Sequence, residues 1–278
     1  MEQEEPDLLI EDRGRVRFIR INRPKTLNSM PRDMITRMVA SVEDAEQNRD
    51  LRAVVIGTVG PHFSSGYDMS SGFKKTKLGA SKVGIVDDVQ SIRKNGQLWR
   101  RIWESAIPVV AAVRGYCLAG GTDLALHCDL IVAGRSAKFG FPAVRHQGVP
   151  PTNMWNERIG LSWTKRLLLT GDLLGAETAA RIGLAIDVVD DDQVDEAALA
   201  LANRMALIDR ELLMANKLAI NLSADANNRG IQQQISAVMD AVAHRADCIT
   251  DFWQRVEQVG IRDTWKERNA LFGDTKPL

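Results

Sequence analysis

Apolar and polar residues alternate along the first part of the chain in a way that predicts strands joined by one helix. Residues 7–22 predict a hairpin, because two β-rich runs flank a turn at 12–14. From Pro31 to about Glu46 the apolar residues recur at helical spacing, and Pro31 suits the first turn of a helix. The unbroken run AVVIGT at 53–58 then predicts a buried strand.

A helical period of about 3.6 residues dominates the rest of the chain. Further apolar runs predict strands at 109–113, 129–134, 138–144 and 186–190. Helices are predicted at 88–104, 161–169, 176–182, 194–206, 210–222, 230–245, 247–257 and 261–270. The last helices carry apolar stripes but little chemistry, which favours packing between subunits. We therefore expect residues 1–205 to form a core that holds the site, and 206–278 to form a helical region for oligomerisation.

A Gly-Gly pair interrupts the apolar stretch at 115–134 and leads into a helix with one acid. Gly120 and Gly121 let the backbone approach a ligand closely, and amides at the start of a helix favour an anion or a developing oxyanion. Asp123, in the first turn, is expected to lie beside those amides. Tight packing without a ligand is the other interpretation of this pattern.

A second strand, at 53–58, also ends in small residues and glycine, in the run GTVGPHFSSGYDM at 57–69. This run brings a second exposed amide, that of Tyr67, to the same end of the predicted sheet. The pair of stretches favours a functional site over plain packing.

Composition removes several classes of function. The chain has 278 residues with 36 basic and 36 acidic side chains, so no global field recruits nucleic acid or an anionic membrane. No apolar run approaches the roughly 18 to 20 residues that span a bilayer, and the acidic start is unlike a secretory signal. Three widely spaced cysteines without a CxxC pair suit a reducing cytoplasm. His127, Cys128 and Asp129 are metal-ligand types, but neighbours on a helix point apart, so we favour burial over a metal site.

Six motifs occur in an order that is similar to the crotonase (enoyl-CoA hydratase/isomerase) superfamily. They are NRPKTLNSM (22–30), HFSSGYDM (62–69), GYCLAGGTDLALHCDLIVAG (115–134), AKFGFPAV (137–144), RIG (158–160) and WKERNALFGD (265–274). The resemblance implies an α/β fold, a spiral of repeated ββα units followed by a helical region for oligomerisation. It also implies a homotrimer or a dimer of trimers.

The resemblance further implies an acyl-CoA thioester as substrate and no cofactor beyond the coenzyme A that the substrate carries. The thioester oxygen would lie between the backbone amides of Tyr67 and Gly120, which stabilise an enolate. The remaining residues that the resemblance places at the substrate are Lys25, Ser65, Gly66, Asp68, Lys74, Lys266 and Arg268. For Asp68 a local capping role is the alternative. For Lys74, in the Gly-, Ser- and Lys-rich segment 70–82, and for Lys266 and Arg268, a solvated surface charge is the alternative.

One position departs from the superfamily's hydratase pattern. Hydratases of the superfamily use two glutamates to hold and deprotonate water, and this chain has Asp123 and Ala143 at those positions. Alanine cannot transfer a proton, so the two-carboxylate hydration is not supported. Asp123 resembles the GGxDL pattern of dienoyl-CoA isomerases, which also need acids at the Ala143 position and near Thr152.

His146 is an alternative base, because its side chain titrates near neutral pH, and a surface or packing role is its other interpretation. We predict an enzyme of the enoyl-CoA hydratase/isomerase family that acts through a stabilised enolate. Dienoyl-CoA-isomerase-like or other enolate chemistry, and a catalytically impaired acyl-CoA-binding protein, remain the alternatives.

Overall fold

The N-terminal elements position the first half of the site. The computed structural model describes residues 6–69, 84–226, 228–273 and 277–278. Strands β1 (Leu8–Arg13) and β2 (Val16–Ile21) form the predicted antiparallel hairpin. Helix α1 (Arg32–Gln47) starts after Pro31, and β3 (Ala53–Thr58) then pairs in parallel with β2.

Two sheets carry the fold. The remaining strands are β4 (Val109–Val113), β5 (Tyr116–Leu118), β6 (Leu130–Gly134), β7 (Lys138–Gly140), β8 (Leu174–Gly175) and β9 (Asp187–Val189). The larger sheet has the order β1-β2-β3-β4-β6-β9 and is parallel beyond the hairpin, and the smaller has the order β5-β7-β8. Because β3 and β4 are parallel neighbours, the segments that follow them leave the sheet at the same end. The predicted α/β spiral is confirmed.

Helices cover both faces of the larger sheet. They are α2 (Ile85–Glu104), α3 (Gly120–His127), α4 (Trp155–Leu168), α5 (Ala176–Arg181), α6 (Val194–Met205), α7 (Arg210–Asp225), α8 (Arg229–Ala243), α9 (Asp247–Val259) and α10 (Ile261–Ala270). One face packs against α6 through alanine, valine and leucine side chains, and the other faces the main core. None of these helices is long and apolar enough to cross a membrane.

Three parts of the sequence interpretation are corrected. The predicted strand 138–144 is wrong in its second half, because a 3-10 helix, Pro142–Arg145, follows β7. Pro142 lacks the N–H that a strand needs and fixes a helical φ. The helix predicted at 161–169 begins earlier, at Trp155, with a break at Gly160, where φ is 72°. Strands β5 and β8 have three and two residues, too short to leave a periodic pattern.

The boundary predicted between residues 205 and 206 falls between α6 and α7, and the division into two regions remains a prediction. Helix α7, the first beyond it, is joined to the core by a partly buried ion pair. Lys217 on α7 lies 2.7 Å from Asp129 and donates to the carbonyl of Ile107 at 3.0 Å. Helices α9 and α10 enclose a small apolar cluster of their own, centred on Phe252 and Trp253.

Gly115 brings the segment after β3 against the start of β5. Its φ is +55°, and a Cβ at this position would lie 2.1 Å from the carbonyl oxygen of Pro61. This close approach lets Phe63 donate to the carbonyl of Arg114 at 2.8 Å and Ser64 to that of Tyr116 at 2.8 Å. The loop at 61–69 is thereby fixed along β5.

We expect Gly115→Ala to destabilise the fold more than Gly14→Ala. Gly14 has a similar φ, +61°, but no atom lies within 4 Å of the place that an alanine methyl group would take, so its replacement adds only the left-handed strain of about 1–2 kcal/mol. Gly115→Ala adds to that strain a collision with backbone, which costs about 1–3 kcal/mol more. Urea unfolding of both variants measures the difference. Equal losses of stability would show that the loop at 61–69 moves away without cost.

Candidate active site

Two loops meet at the C-terminal ends of β3 and β5. Ser64 bridges to Cys117, and Leu118 donates its N–H to the carbonyl of Ser64 at 2.9 Å. Gly66 has a φ of +114°, and a Cβ there would lie 3.2 Å from the nitrogen of Gly120. The structure thus brings the Gly66–Tyr67 peptide beside the start of α3, the arrangement that the two glycine-rich runs predict.

The start of α3 leaves no room for larger side chains. A Cβ on Gly120 would lie 2.9 Å from the Tyr67 ring, and one on Gly121 would lie 2.8 Å from the Ser64 carbonyl oxygen. Ala119, which caps the helix, has φ 49° and ψ −116°, a backbone conformation that costs an L residue about 1–3 kcal/mol. The tight turn fixes where the first amides of α3 lie.

The backbone amides of Tyr67 and Gly120 lie at the junction between the loop at 61–69 and the start of α3. Met30 donates to the carbonyl of Gly66 at 2.8 Å and accepts from the N–H of Asp68 at 2.9 Å. In such a parallel bridge the N–H of the intervening residue, Tyr67, points away from Met30. Gly120 is the first residue of α3, where N–H groups have no partner within the helix. Their roles as oxyanion donors remain predictions.

Asp123 lies inside the protein, and its carboxylate is hydrogen-bonded on both oxygens. Its exposed fraction is 0%. The Tyr67 hydroxyl donates to Oδ2 at 2.8 Å, and the Thr152 hydroxyl donates to Oδ1 at 2.7 Å. The Trp99 indole N–H donates to the Tyr67 oxygen at 2.8 Å. A chain of three hydrogen bonds therefore joins α2, the loop at 61–69, α3 and Thr152.

Burial sets the charge state of this carboxylate. Burial raises the pKa of Asp123 from 3.8 to about 6, while the bonds from Thr152 and Tyr67 lower it and the charge of Asp240 raises it. Burial also raises the pKa of the Tyr67 hydroxyl well above its usual range, and the Asp123 charge adds to this effect. A carboxyl whose pKa lies near 6 can take up and release a proton close to neutral pH.

The neighbours of Asp123 on α3 have structural partners. The His127 ring nitrogen Nδ1 lies 2.6 Å from the Asp123 carbonyl oxygen, and burial lowers the pKa of His127 to about 3. Arg158 donates to the carbonyls of Leu126 at 3.0 Å and Asp129 at 3.1 Å, which satisfies the end of the helix. Within the described ranges, no three His, Cys, Asp or Glu side chains are grouped so that they could hold a metal ion.

Sequence reasoning misses three contributors to the network, namely the Tyr67 side chain, Trp99 and Thr152. The helical pattern places Trp99 on the inward face of its helix and says nothing more about it. Thr152 carries one signal, since related isomerases place an acid near that position. The hydrogen-bonded pairs are far apart in sequence, with a separation of 32 residues for Trp99 and Tyr67, 56 for Tyr67 and Asp123, and 29 for Asp123 and Thr152. No local periodicity could therefore reveal them.

Of the other residues that the resemblance places at the substrate, Ser65 and Asp68 lie close to this site and Lys25 lies on the surface. Ser65 donates its N–H to the carbonyl of Leu27 at 2.9 Å. Asp68 lies 2.8 Å from Arg23 in an ion pair, which agrees with a local structural role. Lys25 is exposed in the 3-10 helix Pro24–Thr26. Lys74 lies outside the described residues.

His146 and the two tail cations belong to another neighbourhood. The His146 ring stacks on Phe252 of α9, with centroids 4.7 Å apart, and lies 6.3 Å from the Trp265 ring of α10. Lys266 is exposed on α10, and Arg268 donates to the carbonyl of Cys248 at 3.0 Å. These contacts favour the packing interpretation of His146 over its role as a base.

Comparisons with known proteins agree on one family. The family model described as enoyl-CoA hydratase/isomerase matches residues 11–256. The short-chain-enoyl-CoA hydratase of Clostridium acetobutylicum is 28% identical and aligns over 96% of this chain and 97% of its own. The 2,3-dehydroadipyl-CoA hydratase of Escherichia coli is 30% identical, over 90% and 96%. A crystal structure of an enoyl-CoA hydratase from Mycobacterium smegmatis superposes with a TM-score of 0.91 and 29% identity, over 98% and 96%.

We expect Asp123→Asn to gain stability relative to the native protein as the pH rises. Folding raises the pKa of Asp123 from 3.8 to about 6, so the folded protein binds this proton more tightly than the unfolded chain does. The native protein therefore loses stability as the pH rises from about 3.8 to about 6. The side-chain amide of the Asp123→Asn variant does not titrate. The unfolding free energy of the variant minus that of the native protein should therefore increase by about 3 kcal/mol from pH 3.5 to 7.5. Urea unfolding across pH measures it.

Asp187→Asn is the matched control, since Asp187 is exposed on β9. Its unfolding free energy should run parallel to that of the native protein. Parallel curves for Asp123→Asn as well would mean that Asp123 folds with an unshifted pKa.

Proposed function

The chain belongs to the enoyl-CoA hydratase/isomerase family, and on that premise we propose that it converts an acyl-CoA thioester through an enolate, with Asp123 as the acid–base group. The observation that carries this proposal is the buried carboxylate of Asp123 in the first turn of α3, whose pKa burial raises to about 6. A shifted carboxyl at a junction of glycine-rich loops is the kind of group that proton transfer requires.

The proposed reaction moves one proton and one double bond. The thioester carbonyl oxygen accepts hydrogen bonds from the amides of Tyr67 and Gly120. Asp123 removes a proton from the α-carbon, and the C–H electron pair forms the enolate. The same carboxyl returns that proton to the γ-carbon of a β,γ-unsaturated substrate, and the double bond shifts into conjugation. No net water, metal or electron is consumed.

Hydration is the second candidate, because the relatives from Clostridium acetobutylicum and Escherichia coli are named as hydratases. Water addition needs a group that holds and deprotonates the water. In this chain the position after Pro142 carries Ala143, in the 3-10 helix that follows β7. Gly140, the last residue of β7, accepts from the N–H of Ala119 at 3.0 Å, so this helix begins beside the cap of α3. A methyl group there supports isomerisation over hydration.

Lys25, Lys74, Lys266 and Arg268 are proposed contacts for the phosphates of coenzyme A, and Ser65 and Gly66 are proposed contacts for the thioester end. A cytoplasmic location is also part of the proposal. The free thiols of Cys117, Cys128 and Cys248 support it, since unpaired cysteines suit a reducing compartment.

We expect Asp123→Ala to reduce turnover of a β,γ-enoyl-CoA by about 10²–10⁴, the usual contribution of one positioned acid or base. Affinity for the acyl-CoA should stay within about threefold, because the two amides and the proposed phosphate contacts are unchanged. Mass spectrometry and chromatography of the product measure turnover, and calorimetric titration measures binding. Asp187→Ala, at the exposed carboxylate on β9, is the control and should match the native protein.

The product identifies the reaction. An isomer of unchanged mass supports the double-bond shift, whereas a product heavier by one water supports hydration. Binding without turnover in the native protein supports the impaired acyl-CoA binder. Native turnover in Asp123→Ala would remove Asp123 from the mechanism.

We also propose a homo-oligomer of at least three chains that assembles through the faces of α7 and α8. Exposed apolar side chains form a stripe along α8, and others line α7. They are Leu218, Ile220 and Leu222 on α7, and Ile231, Ile235, Val238, Met239 and Val242 on α8. Contiguous exposed apolar surface of this kind is typical of an interface.

We expect sedimentation to give at least three times the 30.8 kDa of one chain, and Ile235→Asp with Met239→Lys to dissociate the assembly. Charges at these positions would have to be desolvated in an apolar interface. Leu169→Asp is the control, because Leu169 is more exposed than Ile235 and Met239 but lies at the end of α4. A native protein that sediments as a monomer at micromolar concentration would contradict the proposal.

A further inference from the structure

The hydrogens in the chain of bonds around Asp123 can run in only one direction. An indole N–H donates and cannot accept, so the Tyr67 oxygen accepts from Trp99. The hydroxyl hydrogen of Tyr67 is therefore directed at Asp123 Oδ2, 2.8 Å away. Thr152 directs its hydroxyl at Oδ1 at 2.7 Å. This arrangement matches an ionised carboxylate, which only accepts.

We infer that Tyr67 and Thr152 are positioning residues that hold Asp123 ionised and oriented as the base, and that Trp99 orients the Tyr67 hydroxyl. The inference rests on the proposed role of Asp123 in proton transfer. It gives Tyr67 two functions on one residue, with its peptide N–H at the proposed oxyanion position and its phenol on the base. The ring links the two, since it lies against Gly120.

The packing around the site holds the donors of these hydrogen bonds in place. Trp99 is fully buried on α2, and Thr152 is 2% exposed. Thr152 follows the Pro150–Pro151 pair, whose fixed φ angles stiffen the segment, and Val149 just before it donates to Asp240 Oδ1 at 2.9 Å. Both hydroxyls are thus anchored by elements other than α3. The hydroxyls of Tyr67 and Thr152 therefore do not move with α3, and they fix the orientation of the Asp123 carboxylate.

Several titratable groups face Asp123 from the elements around it. Tyr67 belongs to the loop at 61–69, Cys117 to β5, His127 to α3 itself and Asp240 to α8. Burial keeps His127 neutral, with a pKa of about 3, and raises the pKa of Cys117 well above its usual range. Asp240 opposes ionisation of Asp123. The two hydroxyl bonds are the contacts that favour the charged form, so their loss should be visible in titration.

The test compares pH profiles of kcat/KM for the β,γ-enoyl-CoA substrate. Tyr67→Phe keeps the ring against Gly120 and removes one hydrogen bond to the carboxylate. The acidic limb of this variant's profile should move to higher pH by about one unit, so that the rate relative to the native protein is about tenfold lower at pH 5 than at pH 8.5. Trp99→Phe should shift the limb in the same direction by less.

Matched variants separate positioning from general damage. Thr152→Val should shift the acidic limb to higher pH as Tyr67→Phe does. Thr152→Ser keeps a hydroxyl at this position, and its acidic limb should lie at the pH of the native protein. Tyr116→Phe alters the other tyrosine of the chain, which stacks on His62, and should leave the limb unchanged. Infrared spectroscopy gives a second measurement, without substrate. For each protein the spectrum of the same protein carrying Asp123→Asn is subtracted, and the remaining carboxyl band reports the protonation of Asp123 as the pH changes.

The outcomes divide cleanly. If Asp123→Asn abolishes turnover while Tyr67→Phe and Thr152→Val leave both the limb and the carboxyl band in place, the positioning inference is wrong and the proposed function stands. A uniform loss across pH in those variants would also overturn the inference. If Asp123→Asn turns over as the native protein does, the proposed function fails first. Should Tyr67→Phe not fold, Thr152→Val and its serine rescue carry the same test.

Discussion

The structure around the junction depends on keeping one carboxylate ionisable in the interior. A buried charge without partners costs several kcal/mol, and protonation is the usual escape. Here Asp123 has no exposed surface, yet its pKa rises only to about 6. Hydroxyl donors on both oxygens make this possible. Since each donor comes from a distant part of the chain, the carboxylate ties α2, the loop at 61–69 and Thr152 to α3.

Helix α3 satisfies its own polar groups in a way that serves this constraint. All eight of its residues are buried. Its last carbonyls accept from Arg158, whose burial lowers the pKa of the guanidinium. Its first amides stand at the strained turn of Ala119, beside Gly66. The N-terminus of this buried helix has no side-chain cap, so the positive end of its dipole lies where the proposed function places the enolate oxygen.

A single carboxylate also changes the electrostatics expected from the two-carboxylate pattern that the sequence resembles. Two carboxylates that share a site raise each other's pKa, because like charges oppose ionisation. This chain has Ala143 at the second position, and burial, with a smaller effect of the Asp240 charge, raises the pKa of Asp123 to about 6. A carboxyl with such a pKa is compatible with the reversible proton transfer that the proposed function assigns to it. The absence of a carboxyl at position 143 is thus consistent with the rest of the site.

The sequence by itself determined most of the elements and the place of the candidate site. Period-2 and period-3.6 patterns located the hairpin, β3, β4 and the helices from α6 onwards, because long apolar runs report burial directly. Glycines at 66, 120 and 121 indicated the junction, since residues without a Cβ are required where the two loops approach each other so closely. Tertiary structure alone decided which side chains surround Asp123. Tyr67, Trp99 and Thr152 lie on three separate segments, and hydrogen bonds between such segments leave no periodicity to read. The same limit applies to His146, whose residue type suits a base but whose ring the fold stacks on Phe252.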